Sequence, residues 1–171
     1  MNTLKRRNGF TLIELILVVS LLSAVLVVTT ITLFRPLSKA NLDAVASDIA
    51  ATLREAQDKS MNTDTAGGPQ TSEYGLHFET ASYTLFRGTS FSQSSPDNFK
   101  VNTPSSISLE ADLPCPSPPT ECNNVVFAKI SGGVSGFDNT KNSVCIRETN
   151  SNNEQLLRIN FLGVVNIQDG C

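Results

Sequence analysis

From Leu15 to Phe34 the chain runs twenty residues without a charge. Counted from Phe10, the apolar stretch is 25 residues long. As a helix it would reach roughly 37 Å at 1.5 Å per residue, enough to cross a hydrocarbon core of about 30 Å. A segment of this kind cannot lie on the surface of a water-soluble domain. It constrains everything that follows it. One acid, Glu14, stands at its beginning. An ion in a bilayer core costs at least about 2.5 kcal/mol, so such a residue is functional by default. Ahead of the run, Met1 to Gly9 carries Lys5, Arg6 and Arg7 and no acid. That asymmetry leaves the leader in the cytoplasm and everything after Arg35 outside.

An ordinary secretory signal peptide also has a basic start and an apolar middle. Three features separate this chain from one. The apolar run is too long, no small-x-small site closes it around Thr30, Thr32 and Phe34, and Glu14 lies where a signal peptide is most apolar. A plain single-pass anchor leaves Glu14 unexplained as well. The stretch Gly9-Phe10-Thr11-Leu12-Ile13-Glu14, set between basic residues and the apolar run, resembles the N-terminus of type IV prepilins and pseudopilins. The resemblance implies cleavage after Gly9 by a dedicated peptidase, N-methylation of Phe10, and a docking role for Glu14 in a helical filament. The physical reading agrees. Glycine offers a peptidase unobstructed backbone. Cutting there creates an ammonium on Phe10, and an axially shifted neighbour can set its own ammonium beside Glu14. In low dielectric a well-aligned pair is strong and an unpaired ion is expensive, so the charge selects a register.

The 171 residues allow one modest domain beyond this helix. From Asn41 onward there are eight basic and fifteen acidic residues, leaving the exported part at about −7. Such a surface repels nucleic acid phosphates overall. All four cysteines, Cys115, Cys122, Cys145 and Cys171, fall in this half, and an even number in an oxidising compartment points to disulfides. Three pairings exist. The favoured one is Cys115–Cys122, closing a short proline-rich loop, with Cys145–Cys171, tying the C-terminus to a sheet. The gaps do not match the spacing of a four-thiolate zinc site.

Helical periodicity continues past Pro36, where a kink is expected. Leu42, Val45, Ala46, Ile49, Leu53 and Ala56 share one face, with Asp43, Asp48, Arg54 and Asp58 largely off it. One long helix from about Phe10 to about Met61 is expected, ended by Asn62 to Gln70 with its Gly67-Gly68-Pro69 break. Alternation then predicts a hairpin of Tyr74–Phe78 and Tyr83–Phe86, turning at Thr80-Ala81-Ser82. Arg87 to Ser106 reads as a loop anchored by Phe91 and Phe99. Strands are expected at Ile107–Leu109 and Val125–Ile130, in a second hairpin of Val144–Arg147 and Leu156–Phe161, and at Val164–Ile167 after Gly163. Pro114–Asn124 and the glycine-rich Ser131–Asn142 read as loops. Strands collected after one long helix give an α+β class, the helix packed on a mostly antiparallel sheet. In the late segments, Tyr74–Phe78 and Arg158–Val165 resemble the H-type pseudopilins of type II secretion and the T-type minor fimbrial pilins (the GspH/FimT group).

No catalytic constellation is visible. His77 is the only histidine, and its place in an alternating strand favours packing or solvent over general-base work. No zinc-protease, phosphate-loop or nucleophile-elbow motif occurs. Asp138–Asn142 offers oxygen atoms, but Lys141 and the missing second carboxylate argue against calcium. Arg147, Arg158 and Lys141 form a DNA contact only against the acidic background. The expected organisation is a leader (1–9), a transmembrane and assembly helix (10–34), its amphipathic continuation (35–62) and a β-rich domain (63–171). The expected role is a structural minor pilin or pseudopilin with no catalysis, cofactor or metal. It would sit in the inner (plasma) membrane with its C-terminal domain outside, then in the fibre. Its implied partners are other pilin subunits, a prepilin peptidase, an assembly platform and membrane lipid. A DNA-uptake minor pilin and a major pilin are the rival readings.

Overall fold

A computed structural model of the chain describes residues 10–62, 72–114 and 123–171, with the side chains of 30–38 left aside. It divides into two compact units, Met1–Ser38 and Lys39–Cys171. One helix, α1, is assigned from Leu12 to Met61 and runs through position 36. In the first unit its side chains from Leu12 to Val28 are exposed on every side. In the second unit it is amphipathic. Leu42, Ala46, Ile49, Leu53, Ala56 and Ser60 are buried at three- and four-residue spacing, while Asp43, Arg54 and Asp58 face solvent. Each of Ile49 and Leu53 is completely buried, so truncation of either to alanine would cost about 2–5 kcal/mol.

The stripe packs on strands that form two four-stranded sheets, both antiparallel throughout. The first contains β1 (Tyr74–Glu79), β2 (Ser82–Arg87), β3 (Phe99–Asn102) and β5 (Asn124–Phe127), in the order β3-β2-β1-β5. The second contains β4 (Ile107–Asp112), β6 (Ser143–Glu148), β7 (Glu154–Ile159) and β8 (Val165–Asp169), in the order β4-β6-β7-β8. The α+β class holds, with two sheets where one was expected. Each predicted hairpin seeds its own sheet: β1 pairs with β2 and β6 with β7. Leu76, Phe78, Tyr83 and Leu85 of the first sheet share a core with Ile107, Leu109, Val144, Ile146, Leu157 and Ile159 of the second.

Three local differences from the expected elements have physical causes. The first hairpin turns on Thr80 and Ala81 alone, because Ser82 already pairs with Glu79. Strand β3 lies inside the polar stretch that reads as loop. It is a short edge strand with three of its four residues exposed, so it carries little apolar signal. Strand β5 ends at Phe127, and Ile130 turns left-handed at φ 70°. There its N–H donates to the Ser60 carbonyl, which ties the turn to the end of α1.

Two glycines are required by close approach. A Cβ on Gly75 would lie 2.4 Å from the Val125 carbonyl oxygen and 2.8 Å from the Phe86 ring. Gly163, at φ +80°, would meet Gln57 at 2.5 Å and Phe127 at 2.8 Å.

Candidate functional site

The first unit presents the sequence-predicted site. Phe10 and Thr11 precede the helix, which starts two residues later than periodicity alone suggests. Thr11 is the reason. Its hydroxyl lies 3.4 Å from the Glu14 N–H, and its carbonyl accepts from the Leu15 N–H at 3.2 Å. Together, Thr11 and Glu14 read as a helix-opening pair, threonine at the cap and glutamate three residues on. Glu14 is therefore also a first-turn acid, favoured by the helix dipole. The sequence carried this signal, although the reading of Glu14 as a docking residue did not use it. Among the described residues the Glu14 carboxylate has neither an ion pair nor a hydrogen bond.

Phe10 is 82% exposed, and the stretch from Leu12 to Thr29 has a mean hydropathy of 2.7 with none of it buried. A helix apolar on all sides needs an apolar surrounding. Its few hydroxyls suit such a surrounding. Ser20 donates to the Leu17 carbonyl, Ser23 to Val19, and Thr29 to Val25 and Leu26. These three hydroxyls are satisfied inside the helix, as a bilayer demands. Gly9 lies outside the described residues.

The other candidates fall in the second unit. The structure joins Cys145 to Cys171 with Cα atoms 5.9 Å apart. Cys115 and Cys122 lie outside the described residues. Cys145, Cys171 and Glu154 stand close enough to suggest a metal, but the two sulfurs are already bonded to each other. His77 is a packed side chain. Its Nδ1 pairs with Asn124 Oδ1 at 2.6 Å, and its ring stacks on Phe91 at 3.9 Å. Phe91 thus anchors the long loop as expected, whereas Phe99 is 63% exposed and does not.

Asp138 Oδ1 accepts from both the N–H and the hydroxyl of Thr140, which lowers the Asp138 pKa and closes a turn on itself. Arg147 is engaged by Glu154 at 2.6 Å and Glu110 at 3.4 Å. The Arg147 hydrogen bond holds Glu154 below the usual carboxylate range. Arg147 pairs with Glu154 and Arg158 with Ser143, so the two arginines stand four ladder positions apart, about 13 Å. They do not form one cationic patch.

Gln57 was missed by the sequence reading. Its Nε2 donates to the Gly132 carbonyl at 2.8 Å and the Leu162 carbonyl at 2.6 Å, holding two loops to the end of α1. Nothing in the periodicity marks it beyond its place on the flank of the buried stripe.

Comparison with known proteins adds the following. Residues 4–30 match the family described as the prokaryotic N-terminal methylation motif. No curated protein matches the chain. A solved structure that resembles it is the minor pseudopilin EpsH from the Type 2 Secretion System of Vibrio cholerae, at 12% identity and a TM-score of 0.48, covering 75% of this chain and 97% of that one. The segment that holds Phe10, Thr11 and Glu14 thus lies within a match to the prokaryotic N-terminal methylation motif.

Proposed function

We propose that the chain is a minor pilin or pseudopilin subunit, cut after Gly9, methylated on Phe10 and built into a short helical fibre through its N-terminal helix. The observation that carries this is the motif at residues 4–30 set on a helix with no buried surface from Leu12 to Thr29. Lipid covers such a helix first, and neighbouring helices cover it in the fibre. The leader lies on the cytoplasmic side, as Lys5, Arg6 and Arg7 direct. The β-rich domain then stands outside, where the Cys145–Cys171 disulfide can persist. Residues 1–9 are the leader, 10–34 the membrane and assembly segment, 35–62 its amphipathic continuation and 63–171 the exported domain.

In assembly, Glu14 receives the Phe10 ammonium of an axially shifted neighbour. Its carboxylate, unpartnered among the described residues of its own chain, is free to do so. The subunit is structural. Its partners are other pilin-type subunits, a prepilin peptidase and an assembly platform in the membrane.

Intact-mass and N-terminal measurements on the membrane-extracted protein test the reading. The expected product begins at Phe10 and is one methyl group heavier than the bare sequence. A product beginning at Met1, or beyond Phe34, overturns it. Gly9→Val is expected to stay full length in the membrane, and a shortened Gly9→Val product would count against the proposed cleavage site.

A further inference from the structure

Among the described residues, Ile130 is the one non-glycine with a positive φ, and its side chain is 70% exposed. A β-branched residue in left-handed backbone is strained, and it persists only where the surroundings over-determine it. Here they do. The Ile130 N–H donates to the Ser60 carbonyl, the Ala128 N–H to the Gly133 carbonyl, and the Gly132 N–H to the Ala128 carbonyl. Gln57 ties Gly132 to the end of α1 as well. Glycine or asparagine would take this conformation at lower cost. The turn instead presents an apolar side chain to solvent, with Lys129 exposed just before it. Lys129 has no ion pair among the described residues.

Elsewhere on the same unit, a cleft of about 340 Å³ opens between α1 and β3. Ala44 and Val45 wall it on the helix side, and Val101 and Pro104 on the other. Asp48 and Tyr83 line it too. The Tyr83 phenol donates to Asp48 Oδ2, and burial together with Asp48 keeps it protonated. A donated hydrogen bond holds Asp48 as the anion and fixes its direction. Asp48 is exposed, and its Oδ1 has neither a hydrogen bond nor an ion pair among the described residues. The cleft is thus an accessible apolar slot with an oriented, uncompensated carboxylate.

We propose that the Lys129–Ile130 turn of one copy of this chain docks in the cleft of a second copy, with Ile130 against the apolar walls and the Lys129 ammonium on Asp48. The two halves cannot meet within one chain. Ser60, which holds the turn, lies twelve residues past Asp48 on α1, about 18 Å along the helix. The exported part carries about −7, so two copies repel unless a cation is set against an acid, and this pair selects the orientation. Knob and slot occupy different patches, so the contact is head-to-tail and each copy can both give and receive it. It rests on the assembly reading above, which brings copies side by side.

The test uses the full chain in cells that build the fibre. A zero-length carbodiimide joins an amine to a carboxylate only in direct contact. In fibres grown from isotopically labelled and unlabelled copies, it is expected to link Lys129 of one copy to Asp48 of another. Asp48→Asn keeps an acceptor for Tyr83 and is expected to lose the link. Ile130→Gly relieves the strain, so it is expected to melt no lower than wild type in detergent. Its link yield is expected to fall about tenfold, as loss of one buried aliphatic side chain implies. Ile130→Asn, which also accepts left-handed backbone, is expected to behave alike.

Absence of the Lys129–Asp48 link in wild-type fibres that contain the chain overturns this proposal alone, whatever the Ile130 variants do to folding. A wild-type link yield in Ile130→Gly also overturns it. If the wild-type chain enters no fibre, the assembly reading falls with it.

Discussion

Breaking the Cys145–Cys171 bond should unfasten the last strand. Cys171 follows β8 by two residues, and β8 is an edge strand with four of its five residues exposed. On one side β8 has its ladder to β7; on the other it has no paired strand among the described residues. The bond reaches past β7 to Cys145 on β6, two strands in. With a sequence separation of 26, the loop-entropy relation gives about 3.5 kcal/mol for the cross-link. Replacing both cysteines by alanine also removes a buried sulfur at Cys145, worth about 1 kcal/mol more. The expected loss is therefore about 4.5 kcal/mol, or roughly 9–18 °C in melting temperature for a chain of this size. Circular dichroism of the full chain in detergent reads the shift, and hydrogen exchange reads its location at Val165–Asp169. Cys171→Ala alone should cost nearly as much as the double variant, because both break the same bond. A double variant within about 1 kcal/mol of wild type would refute the reasoning, since β8 would then hold by its ladder alone.

Three further outcomes are expected. Glu14→Ala and Glu14→Leu should remain in the membrane fraction and disappear from fibres, and normal incorporation of either would remove the docking role. Burial first, then the hydrogen bond and charge of Asp48, push the Tyr83 phenol above its ordinary range. The folded chain keeps a proton that the unfolded chain releases above about pH 10, so this stabilisation is complete below that pH and is lost as pH rises beyond it. Tyr83→Phe should flatten the alkaline slope in melting temperature, and an unchanged slope would place its origin elsewhere. Gly163→Ala puts a Cβ at φ +80° against Gln57 and Phe127, and should lower stability by about 1–3 kcal/mol on melting.

How much of this was legible follows from how local each signal is. The stripe Leu42, Ala46, Ile49, Leu53 and Ala56 is buried as its spacing foretold, because every residue on it faces the same core. Val45, placed on the same face, is only half-buried and packs at its edge. The two hairpins were legible for the same reason. Their strands alternate, and their partners lie close in sequence. The split into two sheets was not legible, since it depends on which long-range partner each hairpin finds. Strand β3 hid because Phe99 and Lys100 point to solvent at an edge. Gln57 and Gln155 hid for another reason. A glutamine's worth lies in what its two amide atoms meet, and those partners come from 75 and 112 residues away in sequence. Of the candidate site residues, Phe10 and Glu14 are marked by the sequence because the contrast that singles them out, one acid in a long apolar run, is contained in the run itself.

That contrast bears on two roles for Glu14, the opening of the helix and the proposed docking. As the first-turn acid of a helix capped by Thr11, it gains from the dipole about 0.3–1 kcal/mol. A carboxylate carried toward the middle of a bilayer costs about 2.5–3.5 kcal/mol even on the gentlest scale. Capping therefore explains why the helix begins at Leu12, and it does not offset the charge. Alanine, a better helix former, would avoid that cost at every step except one in which a cation arrives. The chain supplies such a cation only when it is cut ahead of Phe10, and the geometry of one helix turn keeps that ammonium from serving several acids at once. Each copy then carries one donor and one acceptor at the same end of the same rod. Paired within a chain they would select nothing. In the proposed assembly, pairing between chains would make every subunit both the guest of one neighbour and the host of the next, and the offset between Phe10 and Glu14 would become part of the axial step of the fibre.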